Sequence, residues 1–92
     1  VGMRVVVEPE YRCGTCEYCR SGRYNLCRSM GFVGLMGDGA MADNVVVPAY
    51  TLHALPDEVS YEQAATFEPA AVALHAVRRS TLQAGDDCAV FG

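Results

Sequence analysis

The chain has 92 residues, with seven basic side chains, all Arg, against eleven acidic ones and a formal net charge of −4. Binding driven by phosphate neutralisation needs a basic surface, and a helical membrane span needs ~20 consecutive apolar residues; the sequence offers neither, which excludes a nucleic-acid partner and a membrane-spanning helix. This length holds one small domain at most, with a thin margin of stability that a metal or a partner would widen.

At the start, "VGMRVVVEPE" has a short apolar run with a charge on either side and no small-residue cleavage site. No secretory leader is expected, and the compartment is expected to be reducing and cytoplasmic. Without an initiating Met, and with "CAVFG" stopping on a glycine at the far end, the sequence is expected to be cut from a longer chain. "RVVVEP" predicts a short strand over its valines, ended by Pro9, which has no N–H for a ladder.

"CGTCEYCRSGRYNLC", residues 13–27, then brings four of the five cysteines together with two, two and seven residues between them. Disulfides fit poorly, because neighbouring cysteines would close tiny loops and a reducing compartment keeps thiols free. The first three cysteines also match the opening of a bacterial ferredoxin run. That run continues with three residues, a Cys and a Pro, whereas the last gap here is seven and Arg28 follows. Four thiolates with no histidine and no open position suit tetrahedral zinc in the closed coordination of a structural site. Cys13, Cys16, Cys19 and Cys27 are the predicted ligands; the plainer alternative is four free thiols. Gly14 and Gly22 permit positive φ in this loop, Ser21 and Asn25 favour turns, and Tyr18, Tyr24 and Leu26 can cover the site.

"GFVGLMGDGAMA" follows as a glycine-rich connection. It is not a phosphate cradle, since such a loop runs from a strand into a helix and the next predicted element is a strand. That strand is "DNVVVPAY", again three valines stopped by a proline. In "LPDEVSYEQAATF", Ser60 and Gln63 predict a capping box opening a helix. Pro69 suits the first position of a second helix, whose apolar stripe is Ala70, Ala73, Leu74 and Val77 and whose negative end carries Arg78 and Arg79. After a turn at "AGDD", Cys88 to Phe91 predicts a strand buried on both faces, as in a parallel sheet, with Cys88 as a small core residue. His53 and His75 read as partly buried structural residues. Glu68, between Phe67 and Pro69, reads on its own as an exposed charge at a helix start.

Taken together, the residues resemble a known family. "CGTCEYCRSGRYNLC" is similar to the structural-zinc lobe of the zinc-dependent medium-chain alcohol and polyol dehydrogenases. "RVVVEP", "VVVPAYTLHALPDEVSYEQAA", "FEPAAVALHAV" and "AGDDCAVFG" resemble the branch that contains 2,3-butanediol and sorbitol dehydrogenases. The resemblance implies a mixed α and β architecture. Residues 1–55 would be the later part of a GroES-like, β-rich catalytic domain with the zinc loop at 13–27, residues 56–84 a helical passage between domains, and residues 85–92 the start of a Rossmann domain. It further implies zinc-assisted hydride transfer between a secondary alcohol or polyol and NAD or NADP. Glu68 would reach a catalytic zinc directly or through its water, and Gly92 would open the glycine-rich dinucleotide turn. The intact enzyme would be a homo-oligomer acting on a small molecule.

The chain also departs from the family. It lacks the Cys and the Gly-His-Glu motif that complete the catalytic zinc site and the rest of the dinucleotide-binding residues, and "GDGAMADN" differs from the usual glycine-rich run ending in Ala-Glu. The segment alone is therefore expected to be inactive. A different class stays open beside this one: a stand-alone zinc-binding interaction module without catalysis.

Overall fold

The valines of "RVVVEP" form β1 (Val5–Val7), but the strand that pairs with it is not the second run of valines. β1 pairs antiparallel with β4 (Leu52–Ala54), with Val5 opposite Ala54, Val6 opposite His53 and Val7 opposite Leu52. The Leu55 amide donates to the Arg4 carbonyl at 3.0 Å and the Glu8 amide to the Thr51 carbonyl at 2.8 Å, which extends the ladder by one bond at each end. The expected strand at Val45–Val47 is corrected by this pairing: those residues lie outside any strand, and Val46 is 94% exposed. Valine favours extended backbone wherever it occurs, but a strand exists only where a partner meets it, and a 3-10 turn at Ala49–Thr51 delivers the residues after Pro48 to β1 instead.

A second antiparallel pair, not foreseen in the glycine-rich stretch, joins β2 (Glu10–Tyr11) to β3 (Gly31–Phe32). Gly31 lets the strands approach closely there: a Cβ in its place would stand 3.2 Å from the Tyr11 ring, so the ring would have to shift by a few tenths of an ångström. Between β2 and β3 lies the cysteine loop, with one turn of helix, α1 (Glu17–Arg20), and a 3-10 turn at Tyr24–Leu26.

The computed structural model describes residues 1–92 and separates into two units, Val1–Pro56 and Asp57–Gly92. In the first, Thr51, Cys27 and Leu55 are buried. Thr51 is wholly enclosed, and its hydroxyl donates to the Pro48 carbonyl at 2.8 Å, so no buried polar atom is left unpaired there.

The second unit is helical. Ser60 caps α2 (Tyr61–Ala64) through the expected capping box: its hydroxyl accepts from the Gln63 amide at 3.2 Å, and the Gln63 side chain accepts from the Ser60 amide at 2.8 Å. α3 runs Phe67–Arg79, two residues earlier than expected, so Pro69 is its third residue rather than its first. The missing N–H costs nothing at that position, since the first four amides of a helix have no partner within it. Arg78 and Arg79 occupy the last turn as expected.

No residue of α3 is buried, and Leu74 and Val77 are 51% and 53% exposed; the unit's other helix is a single turn, too short to cover the apolar stripe. The expected "AGDD" turn forms, with Gly85 at φ 99° and the Asp86 amide on the Gln83 carbonyl. Residues 88–91 form no strand, and Cys88 is exposed rather than buried. A parallel strand takes its hydrogen bonds from flanking strands, and the unit contains none. No helix of the chain is long and apolar enough to cross a membrane.

Candidate metal centre

The cysteine loop is built almost entirely from short-range bonds. Cys16 stands at the N-cap of α1 and Cys19 lies within it, with the Arg20 amide on the Cys16 carbonyl at 3.0 Å. The Arg23 amide folds back to the Tyr18 carbonyl at 2.8 Å, and the 3-10 turn presents Cys27 through its amide bond to the Tyr24 carbonyl at 2.9 Å. The two reversals fall on Gly14 and Gly22, at φ 73° and 76°, a region that a Cβ disfavours.

The result is four sulfurs that all lie within 4.8 Å of one another. Cys13 and Cys19 are separated by 4.0 Å, close to the ~3.8 Å edge of a tetrahedron whose Zn–S bonds are ~2.3 Å. All five cysteines are free thiols, so the cluster is not a disulfide framework.

Donors surround the sulfurs. Cys13 accepts from the Cys16 amide at 3.3 Å and the Thr15 hydroxyl at 3.5 Å, while the Cys13 amide donates to the Cys27 sulfur at 3.4 Å. The Thr15 hydroxyl, then the amides of Thr15 and Cys16, hold the Cys13 thiol down to about 6. Amides of Cys19 and Arg28 lower Cys16 as well. Cys19 is pushed up to about 12, first by loss of water around it and then by the neighbouring thiols. A bound dication would override these differences, because a coordinating thiol is deprotonated outright. Four thiolates, tetrahedral spacing and amide donors to the sulfurs together fit a closed zinc site.

The other candidate residues stand outside this cluster. Glu68 is exposed in the first turn of α3, in the second unit, and Gly92 is the last residue. His53 is exposed on β4 rather than partly buried, with its Nε2 3.3 Å from a Glu8 carboxylate oxygen, and His75 is exposed on α3.

Three contributors escaped the sequence reading: Thr15, which bonds Cys13, and the pair Arg12 and Tyr50, which meet across 38 residues. Thr15 could have been suspected from its place between two ligands. No local pattern announces a contact as distant as that of Tyr50.

Fold and site define a class: a small β unit of antiparallel strand pairs carrying a four-thiol metal loop. Residues 1–57 match the family model of the alcohol dehydrogenase GroES-like domain, and the chain belongs to that family. Over its whole length it is 53% identical to the (R,R)-butanediol dehydrogenase and 43% identical to the sorbitol dehydrogenase of Bacillus subtilis, covering 26% of each. The chain thus spans about a quarter of the length of these curated relatives. Among solved structures, a putative zinc-binding dehydrogenase from Sinorhizobium meliloti 1021 bound to NADP superposes with a TM-score of 0.79 at 37% identity, over 91% of this chain and 25% of that one.

Proposed function

We propose that the chain is part of a zinc-dependent dehydrogenase that transfers hydride between a secondary alcohol or polyol, of the 2,3-butanediol or sorbitol kind, and NAD or NADP. The observation that carries this reading is the 53% identity to a butanediol dehydrogenase along the entire chain.

Each part then has a role. Cys13, Cys16, Cys19 and Cys27 hold a structural zinc that fixes the fold of their loop. A catalytic zinc, when bound, supplies Lewis-acid assistance at the alcohol oxygen. Glu68 places its carboxylate at that metal, directly or through water. Gly92 begins the glycine-rich turn of a dinucleotide-binding domain starting within residues 85–92, after a helical passage at 56–84 and the catalytic-domain part at 1–55. The working enzyme is a cytoplasmic homo-oligomer.

The test is to purify the protein that contains this chain with its zinc and offer it (R,R)-2,3-butanediol, sorbitol and a primary alcohol, each with NAD and with NADP, following absorbance of the reduced nicotinamide. Reduction with a secondary alcohol or polyol is expected. A zinc-loaded protein inactive with every pair would leave the zinc-binding interaction module as the better reading.

A further inference from the structure

Arg12 immediately precedes the first metal-site cysteine, and it is held from three directions. Its guanidinium lies over the Tyr24 ring, 4.1 Å from the centroid, and over the Tyr50 ring at 4.7 Å. The Tyr50 hydroxyl accepts a hydrogen bond from the Arg12 amide at 3.0 Å and is placed to donate one to the Arg12 carbonyl at 3.2 Å. One phenol therefore occupies both backbone polar groups of the residue that leads into Cys13.

Tyr50, itself 41% exposed, is placed by its neighbour in the chain. It sits in the 3-10 turn Ala49–Thr51, next to Thr51, whose amide and hydroxyl both bond the Pro48 carbonyl, at 3.0 and 2.8 Å, and whose side chain is wholly buried. Tyr24 belongs to the other end of the loop, since its carbonyl accepts the Cys27 amide at 2.9 Å. Arg12 thus ties the entry of the loop to its exit: Cys13 through the chain, Cys27 through Tyr24. The Cys13 amide, one peptide beyond the clamped residue, donates to the Cys27 sulfur at 3.4 Å. A rotation of the Arg12–Cys13 peptide would move a ligand and a donor to another ligand together.

We propose that Tyr50, acting through Arg12, is a positioning residue for the four-thiol metal site, holding the Arg12–Cys13 peptide in the orientation that lets Cys13 and Cys27 share one ion. This rests on the reading of the cluster as a metal site. Tyr50 touches no sulfur; its effect is on how long the ion stays, as for other groups that orient metal ligands.

The test uses the full protein loaded with cobalt(II) and follows, to an excess of chelator, loss of the tetrathiolate absorption band, which a catalytic site with a single cysteine ligand does not give. Tyr50→Phe keeps the ring and removes the hydroxyl; the band should decay about tenfold faster than in wild type, the lower end of the range for lost ligand-orienting partners. Arg12→Lys, which keeps the charge but not the planar stack, should also release faster, and decides the matter should Tyr50→Phe not fold. Tyr61→Phe, in the other unit, should release at the wild-type rate. Wild-type release from both Tyr50→Phe and Arg12→Lys, or a lowered unfolding temperature with the band and its decay unchanged, would overturn the proposal. A wild-type protein with no thiolate band would instead overturn the metal site itself.

Discussion

Gly14→Ala isolates the contribution of backbone geometry to the metal loop. Gly14 sits at φ 73°, and a Cβ added there meets nothing within 4 Å, so the substitution introduces no clash. Its amide, which donates to the Cys19 sulfur, is retained. What remains is the cost of holding an alanine in the left-handed region, about 1–2 kcal/mol. The metal-free loop can relax out of that conformation and the metal-bound loop cannot, so the cost falls on binding. At about 1.4 kcal/mol per tenfold, zinc affinity should drop by about 5- to 30-fold. Gly14→Asn should recover part of the loss, since asparagine enters the left-handed region more readily than alanine. The assay is an equilibrium competition for zinc between the protein and a chromophoric chelator, under reducing conditions. An alanine variant that binds zinc as tightly as wild type would refute the claim that the loop's left-handed turn is part of its affinity.

Cys16→Ser removes a ligand rather than a support, so zinc affinity should fall by more than the roughly 10- to 100-fold that follows loss of a ligand-orienting group; zinc content of the purified variant, measured by atomic emission, checks this. Glu68→Gln in the intact enzyme separates two roles: a mere helix-start charge is worth about 0.3–1 kcal/mol of stability and leaves turnover alone, whereas service at a catalytic zinc should cost about 10- to 100-fold in turnover while the four-cysteine zinc stays bound. We expect the second outcome, and wild-type turnover with full zinc content would contradict it.

The cysteine cluster was legible because everything it needs is close in sequence: ligand spacing, two glycines at φ 73° and 76°, and a single turn of helix between. The capping box at Ser60 and Gln63 was legible for the same reason, as were β1 and the basic last turn of α3. Legibility ended where a partner had to be chosen. Two valine runs looked alike, yet only one sits in a strand, because pairing with β1 fell to Leu52–Ala54. Cys88 to Phe91 has the composition of an interior strand without a neighbouring strand in its unit, so composition alone could not make it one. The stripe on α3 has the expected spacing but lies open, since periodicity specifies a face and not what covers it. At the cluster the four cysteines could be read, and the contact of Tyr50 with Arg12 could not.

The short span of the metal loop also sets an order of assembly. Cys13 and Cys27 are 14 residues apart, whereas Glu8 and His53, which meet across the β1–β4 ladder, are 45 apart. On chain-closure entropy alone the longer loop costs about 1 kcal/mol more to close. During synthesis the contrast is sharper still, because every ligand has been made before the first residue of β4 exists. The bonds that gather the four cysteines lie within residues 13–27, so the cluster can begin to form from local chain alone. The contact of Tyr50 with Arg12, 38 residues apart, joins it afterwards.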